Sequence, residues 1–74
     1  MSSLREARLA AGLTQEQVGE RVGVSGAVVS RYESGDIVVP AERVAPLLDA
    51  LGLIGEARVE VWRAIVPAGY RVGA

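Results

Sequence analysis

Residues 14–35, TQEQVGERVGVSGAVVSRYESG, predict two short helices joined by a sharp turn, and the rest of the chain is arranged around them. Thr14 with Gln17 three residues later forms a capping box, which starts the first of these helices. Ser25 is placed to cap the second helix. Gly35 ends that helix, as a glycine just past a helix C-terminus commonly does.

Four residues inside this stretch determine how the two helices meet. Gly23 permits the positive φ that a sharp turn between helices requires. Gly19 is small where two helix backbones would pass closely, with a merely tolerated glycine as the alternative. Val29 and Tyr32 face back toward the first helix as packing residues. This arrangement is a helix-turn-helix, which makes DNA binding the leading functional interpretation.

Further helices flank this pair on both sides. Ser3 and Glu6 form a capping box at the start of the first helix, and Gly12 ends it. After the helix-turn-helix, residues 36–40 read as an extended linker, with a short strand as the alternative. A last helix is predicted over residues 56–66, before Pro67 stops it.

The helix that follows the linker contains a proline. It begins near Pro40 or Ala41 and carries an apolar stripe with helical spacing before Gly52 ends it. Pro46 lies about six residues into it, so either the helix is kinked there or it begins later. The fold expected is all-α, a compact five-helix bundle whose second and third helices form the helix-turn-helix. Residues 1–66 are expected to be the DNA-binding domain, and residues 67–74 a flexible tail.

Composition excludes several classes of function. The chain of 74 residues has no cysteine and no histidine, which removes the commonest metal ligands and the commonest general base. Its acidic residues are scattered singly, so we expect no enzyme, no cofactor, no metal and no small-molecule ligand. No apolar run approaches the roughly 20 residues of a membrane span. The N-terminus lacks the layout of a signal peptide, and a cytoplasmic protein is expected.

The net charge of the chain disfavours DNA binding, because neutralisation of phosphates by basic residues supplies most non-specific affinity. The chain has a net charge of −1, although all eight of its cations are arginine, which can fork onto phosphate or guanine. The distribution of these arginines therefore matters more than the total charge.

Residues 4–35, LREARLAAGLTQEQVGERVGVSGAVVSRYESG, resemble the lambda-repressor-like or Cro-type class of helix-turn-helix regulators, also called the xenobiotic-response-element family. The likeness continues more loosely to LLDALGL at Leu53 and covers about two thirds of the chain. It implies a transcriptional regulator of the repressor type that binds double-stranded DNA.

The resemblance also implies roles for individual residues. The second helix would lie across the DNA backbone with Gln15 at a phosphate, and the third would enter the major groove. Arg8 and Glu33 stand where members of the class commonly carry an ion pair, which would lock the first helix onto the third and present positive charge near phosphate. The DNA-contacting set that results is Thr14, Gln15, Ser25, Gly26, Ala27, Ser30 and Arg31, with Arg8 and Arg43.

The sequence departs from the class at the positions that would read bases. Gly26 can read nothing, and Ala27 can only touch a thymine methyl. Arg31 must then carry much of the direct readout as a fork onto guanine, unless it is a solvated or phosphate-facing arginine. Ser30 is expected at the backbone, and Arg5, like Arg43, is a weaker phosphate candidate.

The fifth helix carries an apolar stripe that has two interpretations. Trp62 either packs into the core or joins Val61, Ile65 and Val66 in a homodimer seam. We expect the seam, because one small monomer has difficulty burying the stripes of two helices. Two recognition helices about 34 Å apart would then read a palindrome.

A different class of function also fits the sequence. This alternative is a helix-turn-helix scaffold for protein contact, such as an antitoxin-like or regulatory partner module with weak or no DNA binding. The net negative charge, Gly26 and Ala27, and the apolar run at residues 37–39 favour this alternative.

Overall fold

The structure is a computed structural model that describes residues 3–66, most of which lie in helices. They are α1 (Ser3–Ala10), α2 (Gln15–Val22), α3 (Gly26–Ser34), α4 (Ala41–Ala50) and α5 (Gly55–Ile65). No strand occurs within residues 3–66. The prediction of an all-α five-helix bundle is confirmed. The proposed tail, residues 67–74, lies outside the described residues.

Local signals set the ends of the two central helices. Thr14 Oγ1 accepts a hydrogen bond from the Gln17 amide at 3.0 Å, and Gln17 Oε1 accepts one from the Thr14 amide at 2.8 Å. Ser25 Oγ accepts from the Val28 amide at 3.2 Å and caps α3. Gly23 has φ +81° and its amide donates to the Gly19 carbonyl at 2.8 Å. Both predicted caps and the predicted turn glycine are confirmed.

Gly19 is buried and closely packed, although its neighbour differs from the one predicted. A Cβ built there would lie 3.1 Å from the carbonyl carbon and 3.2 Å from the carbonyl oxygen of Ser25, and closer still to the carbonyl oxygen of Val24. These atoms belong to the turn that precedes α3 and not to a second helix. Gly19 therefore lets α2 lie directly against the turn.

The region between α3 and α4 forms no strand; it bends at residues 36 and 37, where the sequence predicts an extended linker, and has no regular secondary structure at residues 38–40. Its three aliphatic residues differ: Val39 is 3% exposed and belongs to the core, whereas Ile37 and Val38 are 37% and 67% exposed. α4 begins at Ala41 and runs unbroken past Pro46. Pro46 has no N–H to donate to the Glu42 carbonyl, and both residues are exposed, so water can satisfy that carbonyl.

The core joins all five helices and the linker. Val18 of α2 and Val29 of α3 are each 1% exposed, and Tyr32 is 8% exposed, so the inward-facing residues predicted for the helix-turn-helix are confirmed. The cluster comprises Leu4, Val18, Val29, Tyr32, Val39, Val44, Leu47, Leu48, Leu51, Val61 and Ile65.

Two of the four residues predicted for a dimer seam on α5 are buried within the monomer. Val61 and Ile65 are 6% and 9% exposed and pack inside the monomer with the core. Trp62 is half-buried against the same core, and Val66 is half-buried at the end of the helix. One monomer therefore covers most of this stripe, because α5 lies against both α1 and α4.

No helix within residues 3–66 is long and apolar enough to cross a membrane. The same range holds no group of three or more acidic side chains arranged to hold a metal ion.

Candidate nucleic-acid interface

A buried ion pair joins α1 to α3. Arg8 Nε donates to Glu33 Oε2 at 2.5 Å and Arg8 Nη2 donates to Glu33 Oε1 at 3.3 Å. The two side chains are only 10% and 5% exposed. Arg8 Nη1 also donates to the Leu13 carbonyl at 2.9 Å, so the guanidinium is bound on two sides. The pair implied by the family resemblance is present.

Burial changes what Arg8 can do. Its positive charge is neutralised by Glu33 and shielded from solvent, so it has little to offer a phosphate. The expectation that Arg8 presents positive charge to DNA is not supported by this geometry. Arg8 instead joins α1 to α3 as a scaffold residue.

Gln15 is tied into the same network. Its Nε2 donates to Glu33 Oε1 at 3.2 Å, which connects the start of α2 to the last turn of α3. A side-chain amide has two N–H donors, and this bond uses one of them. Gln15 is half-buried, so its amide is oriented by the ion pair while a second donor is left for another acceptor.

Several predicted residues meet in one cleft between α1, the start of α2 and α3. The cleft has a volume of ≈ 400 Å³. It brings together Arg5, Gln15 and Ser30, which the sequence predicts only as separate DNA contacts. Ser34 of α3 also lines it. The lining residues are Arg5, Glu6, Leu9, Gln15, Ser30, Glu33 and Ser34.

Three arginines donate to backbone carbonyls, two of them at the C-termini of helices. Arg43 Nη1 donates to the carbonyl of Val22, the last residue of α2, at 2.9 Å, and Arg21 Nη1 donates to Ala50, the last residue of α4, at 2.8 Å. Arg58 donates to the Leu53 carbonyl at 3.2 Å and pairs with Asp49 at 2.8 Å. Arginine at a helix C-terminus satisfies free carbonyls and suits the helix dipole. Arg43, predicted as a phosphate contact, is half-buried and caps α2 through its Nη1.

The remaining arginines of residues 3–66 are Arg5, Arg31 and Arg63. All three are exposed, and none makes a hydrogen bond or ion pair with another described residue. Arg31 lies on α3 and Arg5 on α1 at the cleft, whereas Arg63 lies on α5. The cations free for a partner are thus concentrated on α1 and α3.

The first turns of α2 and α3 expose further donors. Thr14 and Ser25 are exposed, and each uses its oxygen to accept a capping bond. A hydroxyl that accepts one bond can still donate its own hydrogen. Ala27 is also exposed in the first turn of α3, so its methyl group is accessible.

Glu16 is the residue that sequence reasoning missed. A Cβ on Gly26 would lie 2.5 Å from Glu16 Oε2, so this carboxylate lies over the first residue of α3. A glycine at the start of a helix, facing the start of the helix before it, is the signal that could have indicated such a close approach.

A family model described as a helix-turn-helix domain matches residues 2–62, which is more than half of the chain. Neither the comparison with curated proteins nor the comparison with solved structures gives a significant match.

Proposed function

Because the chain belongs to the helix-turn-helix domain family, we propose that it is a sequence-specific DNA-binding transcriptional regulator of the repressor type. In this proposal α3 enters the major groove, as in the lambda-repressor-like class that the sequence resembles. The observation that carries the proposal is which arginines are bound inside the protein and which are left exposed. Arg8, Arg21, Arg43 and Arg58 bind internal partners, whereas Arg31 on α3 is exposed and unpartnered within the described chain.

The first turns of α2 and α3 would position the protein on the DNA backbone. Gln15 would give its second amide hydrogen to a phosphate, with the first held by Glu33. The hydroxyls of Thr14 and Ser25 and the free amides at both helix starts would add phosphate contacts. Arg5 would supply a charge from the same cleft as Gln15. The DNA-binding domain would be residues 1–66.

Base readout would come from the exposed side of α3. Arg31 would donate two hydrogen bonds to guanine O6 and N7, the commonest specific contact in the major groove. Ala27 could add a contact with a thymine methyl, and Ser30, which lines the cleft, would serve the backbone. With so few residues that contact bases, binding to one half-site is expected to be weak. The proposal therefore includes a homodimer that binds a palindromic operator. Its seam must lie outside Val61 and Ile65, which the monomer buries.

Arg31→Ala is expected to relax sequence preference. Loss of the guanine contact should lower the affinity for a selected site by about 1–3 kcal/mol, about 5- to 150-fold, and should flatten the preference for that guanine. Binding-site selection from random duplex DNA, followed by gel shift on the selected site, measures both effects. Affinity should also fall linearly with salt on a log–log plot.

Arg63→Ala is the matched control for this experiment. It removes the same charge from an exposed residue on α5, so any shared loss reflects net charge alone. Equal effects of the two variants would make Arg31 a solvated arginine. Absent or salt-independent binding by the wild type would reject the DNA-binding function itself.

One observation favours the protein-contact alternative. A groove of ≈ 600 Å³ lies between the end of α3, the linker and the end of α5. Ile37 and Val38 line it and are exposed, beside half-buried Val66, so an apolar surface is open there. Such a surface suits a protein partner better than a phosphate backbone.

Val38→Asp separates the two functions. We expect DNA affinity to change little beyond the effect of one added negative charge, because Val38 lies outside the first turns of α2 and α3. If the protein is instead a partner module, a pull-down from cell extract with the wild type should return one stoichiometric protein and no DNA. That protein should be lost with Val38→Asp. Val39 is no substitute for this test, because it is buried.

A further inference from the structure

The first residue of the recognition helix is covered by a side chain from the preceding helix. Gly26 begins α3, and the three heavy atoms nearest to a Cβ built on it all belong to Glu16: Oε2 at 2.5 Å, Cδ at 3.0 Å and Cγ at 3.1 Å. A longer residue at position 26 would have to share this space. The place from which position 26 would reach outward is therefore occupied by the Glu16 side chain.

The Glu16 carboxylate is unused by the part of the chain that the structure describes. Glu16 is exposed, and it makes no hydrogen bond or ion pair within residues 3–66. It lies in the first turn of α2 and against the first residue of α3. Helix N-termini carry partial positive charge, and two of them favour a carboxylate here. The same carboxylate leaves its acceptor oxygens available to a partner.

We propose that Glu16 is a specificity-determining residue, which supplies the base contact that Gly26 cannot make. The proposal rests on the proposed function, because it places Glu16 in the same DNA interface. An ionised carboxylate only accepts hydrogen bonds. In the major groove it matches the N4 amino group of cytosine, whereas guanine presents the acceptors O6 and N7. Glu16 thus selects cytosine opposite the first turn of α3 and disfavours guanine on that strand.

This role of Glu16 explains two features that otherwise argue against sequence-specific DNA binding. Gly26 reads nothing, but its missing Cβ is what allows the Glu16 side chain to lie across α3. The negative charge of Glu16 lowers the non-specific affinity for phosphate, but it also lowers the affinity for sites that carry the wrong base. Arg31 and Glu16 would then read guanine and cytosine with opposite hydrogen-bonding character.

Binding-site selection on the intact chain tests the proposal, with the wild type, Glu16→Gln and Glu16→Ala compared on one random duplex library. The wild type should select a cytosine in each half-site at a position distinct from the guanine lost in Arg31→Ala. Glu16→Gln should change that cytosine to adenine, because a carboxamide pairs with adenine N6 and N7. Glu16→Ala should flatten the position, a loss of about 5- to 150-fold in discrimination.

Gly26→Ala gives an independent test that leaves Glu16 in place. The three atoms nearest to the added methyl belong to the flexible Glu16 side chain, so the fold should persist while the carboxylate is displaced. We expect the cytosine preference to weaken, with the helical circular dichroism signal and the urea midpoint retained. An unchanged preference in Gly26→Ala would show that the position of the Glu16 side chain in this structure does not carry the readout.

The outcomes separate this inference from the proposed function. If Arg31→Ala alters the selected sequence and both Glu16 variants select the wild-type sequence, the inference is overturned and the proposed function stands. Tighter binding by Glu16→Ala with the same selected sequence would mean that the carboxylate only repels phosphate. If the wild type selects no sequence, both are overturned.

Discussion

Glu33→Ala is expected to lower the free energy of unfolding by about 3–5 kcal/mol, because it leaves the guanidinium of Arg8 buried without its partner. The Arg8 side chain is 10% exposed, so water cannot replace the two bonds that Glu33 accepts from it. The variant also removes the acceptor of the Gln15 amide. Small domains have total stabilities near the low end of 5–15 kcal/mol. Urea denaturation followed through Trp62, the single tryptophan, measures the loss.

Asp49→Ala is the matched control, because it breaks the other ion pair of the described chain. Arg58 and Asp49 are 33% and 70% exposed in their side chains. Exposed pairs contribute about 0–1 kcal/mol, so Asp49→Ala should be nearly neutral. Should Glu33→Ala cost no more than Asp49→Ala, burial of the Arg8–Glu33 pair would have no energetic consequence.

A double variant separates the effect of the buried charges on stability from the effect of the volume that the two side chains fill. Arg8→Met with Glu33→Leu removes both buried charges together and keeps apolar volume. Replacement of a buried ion pair in this way is often neutral or stabilising. We therefore expect the double variant to be more stable than Glu33→Ala. It should nevertheless bind DNA less well, because Gln15 loses the acceptor that orients it.

The helices could be predicted from the sequence because their ends depend on neighbours in the chain. Thr14 and Gln17 are three residues apart and cap each other, and Gly23 makes its own turn. The roles of the arginines could not be predicted in the same way. Arg43 binds a carbonyl 21 residues away and Arg21 one that is 29 residues away. Such contacts depend on how the helices pack, which local spacing does not contain.

The α5 stripe shows a second limit of the same kind. Helical spacing predicts that Val61 and Ile65 share one face of a helix. It does not indicate whether that face is covered by the same chain or by a second copy. Here α1 and α4 cover it, and both residues join the core. Glu16 was missed for a related reason, since its neighbour Gly26 is ten positions later in the chain and on another helix.

Gly19→Ala is expected to lower the free energy of unfolding by about 3 kcal/mol, the upper part of the range for overpacking. In most helix interiors this substitution gains up to about 1 kcal/mol, so the expected sign is reversed. The added methyl would meet the carbonyl groups of Val24 and Ser25, which are backbone atoms and cannot rotate away. Relief requires the turn itself to move, which would also shift α3 relative to α2.

Two other glycines provide controls that separate the effect of a steric clash from the effect of a strained backbone conformation. Gly23 has φ +81° and nothing within 4 Å of a built Cβ, so Gly23→Ala introduces left-handed strain without a clash, about 1–2 kcal/mol. Gly26 lies in α3 without a positive φ, and the atoms nearest to its built Cβ belong to the flexible Glu16 side chain, so Gly26→Ala should be close to neutral. Urea midpoints should therefore rank Gly26→Ala above Gly23→Ala and Gly23→Ala above Gly19→Ala. A Gly19→Ala variant as stable as the wild type would mean that the turn yields easily, and the rigid placement of α3 against α2 would then have another cause.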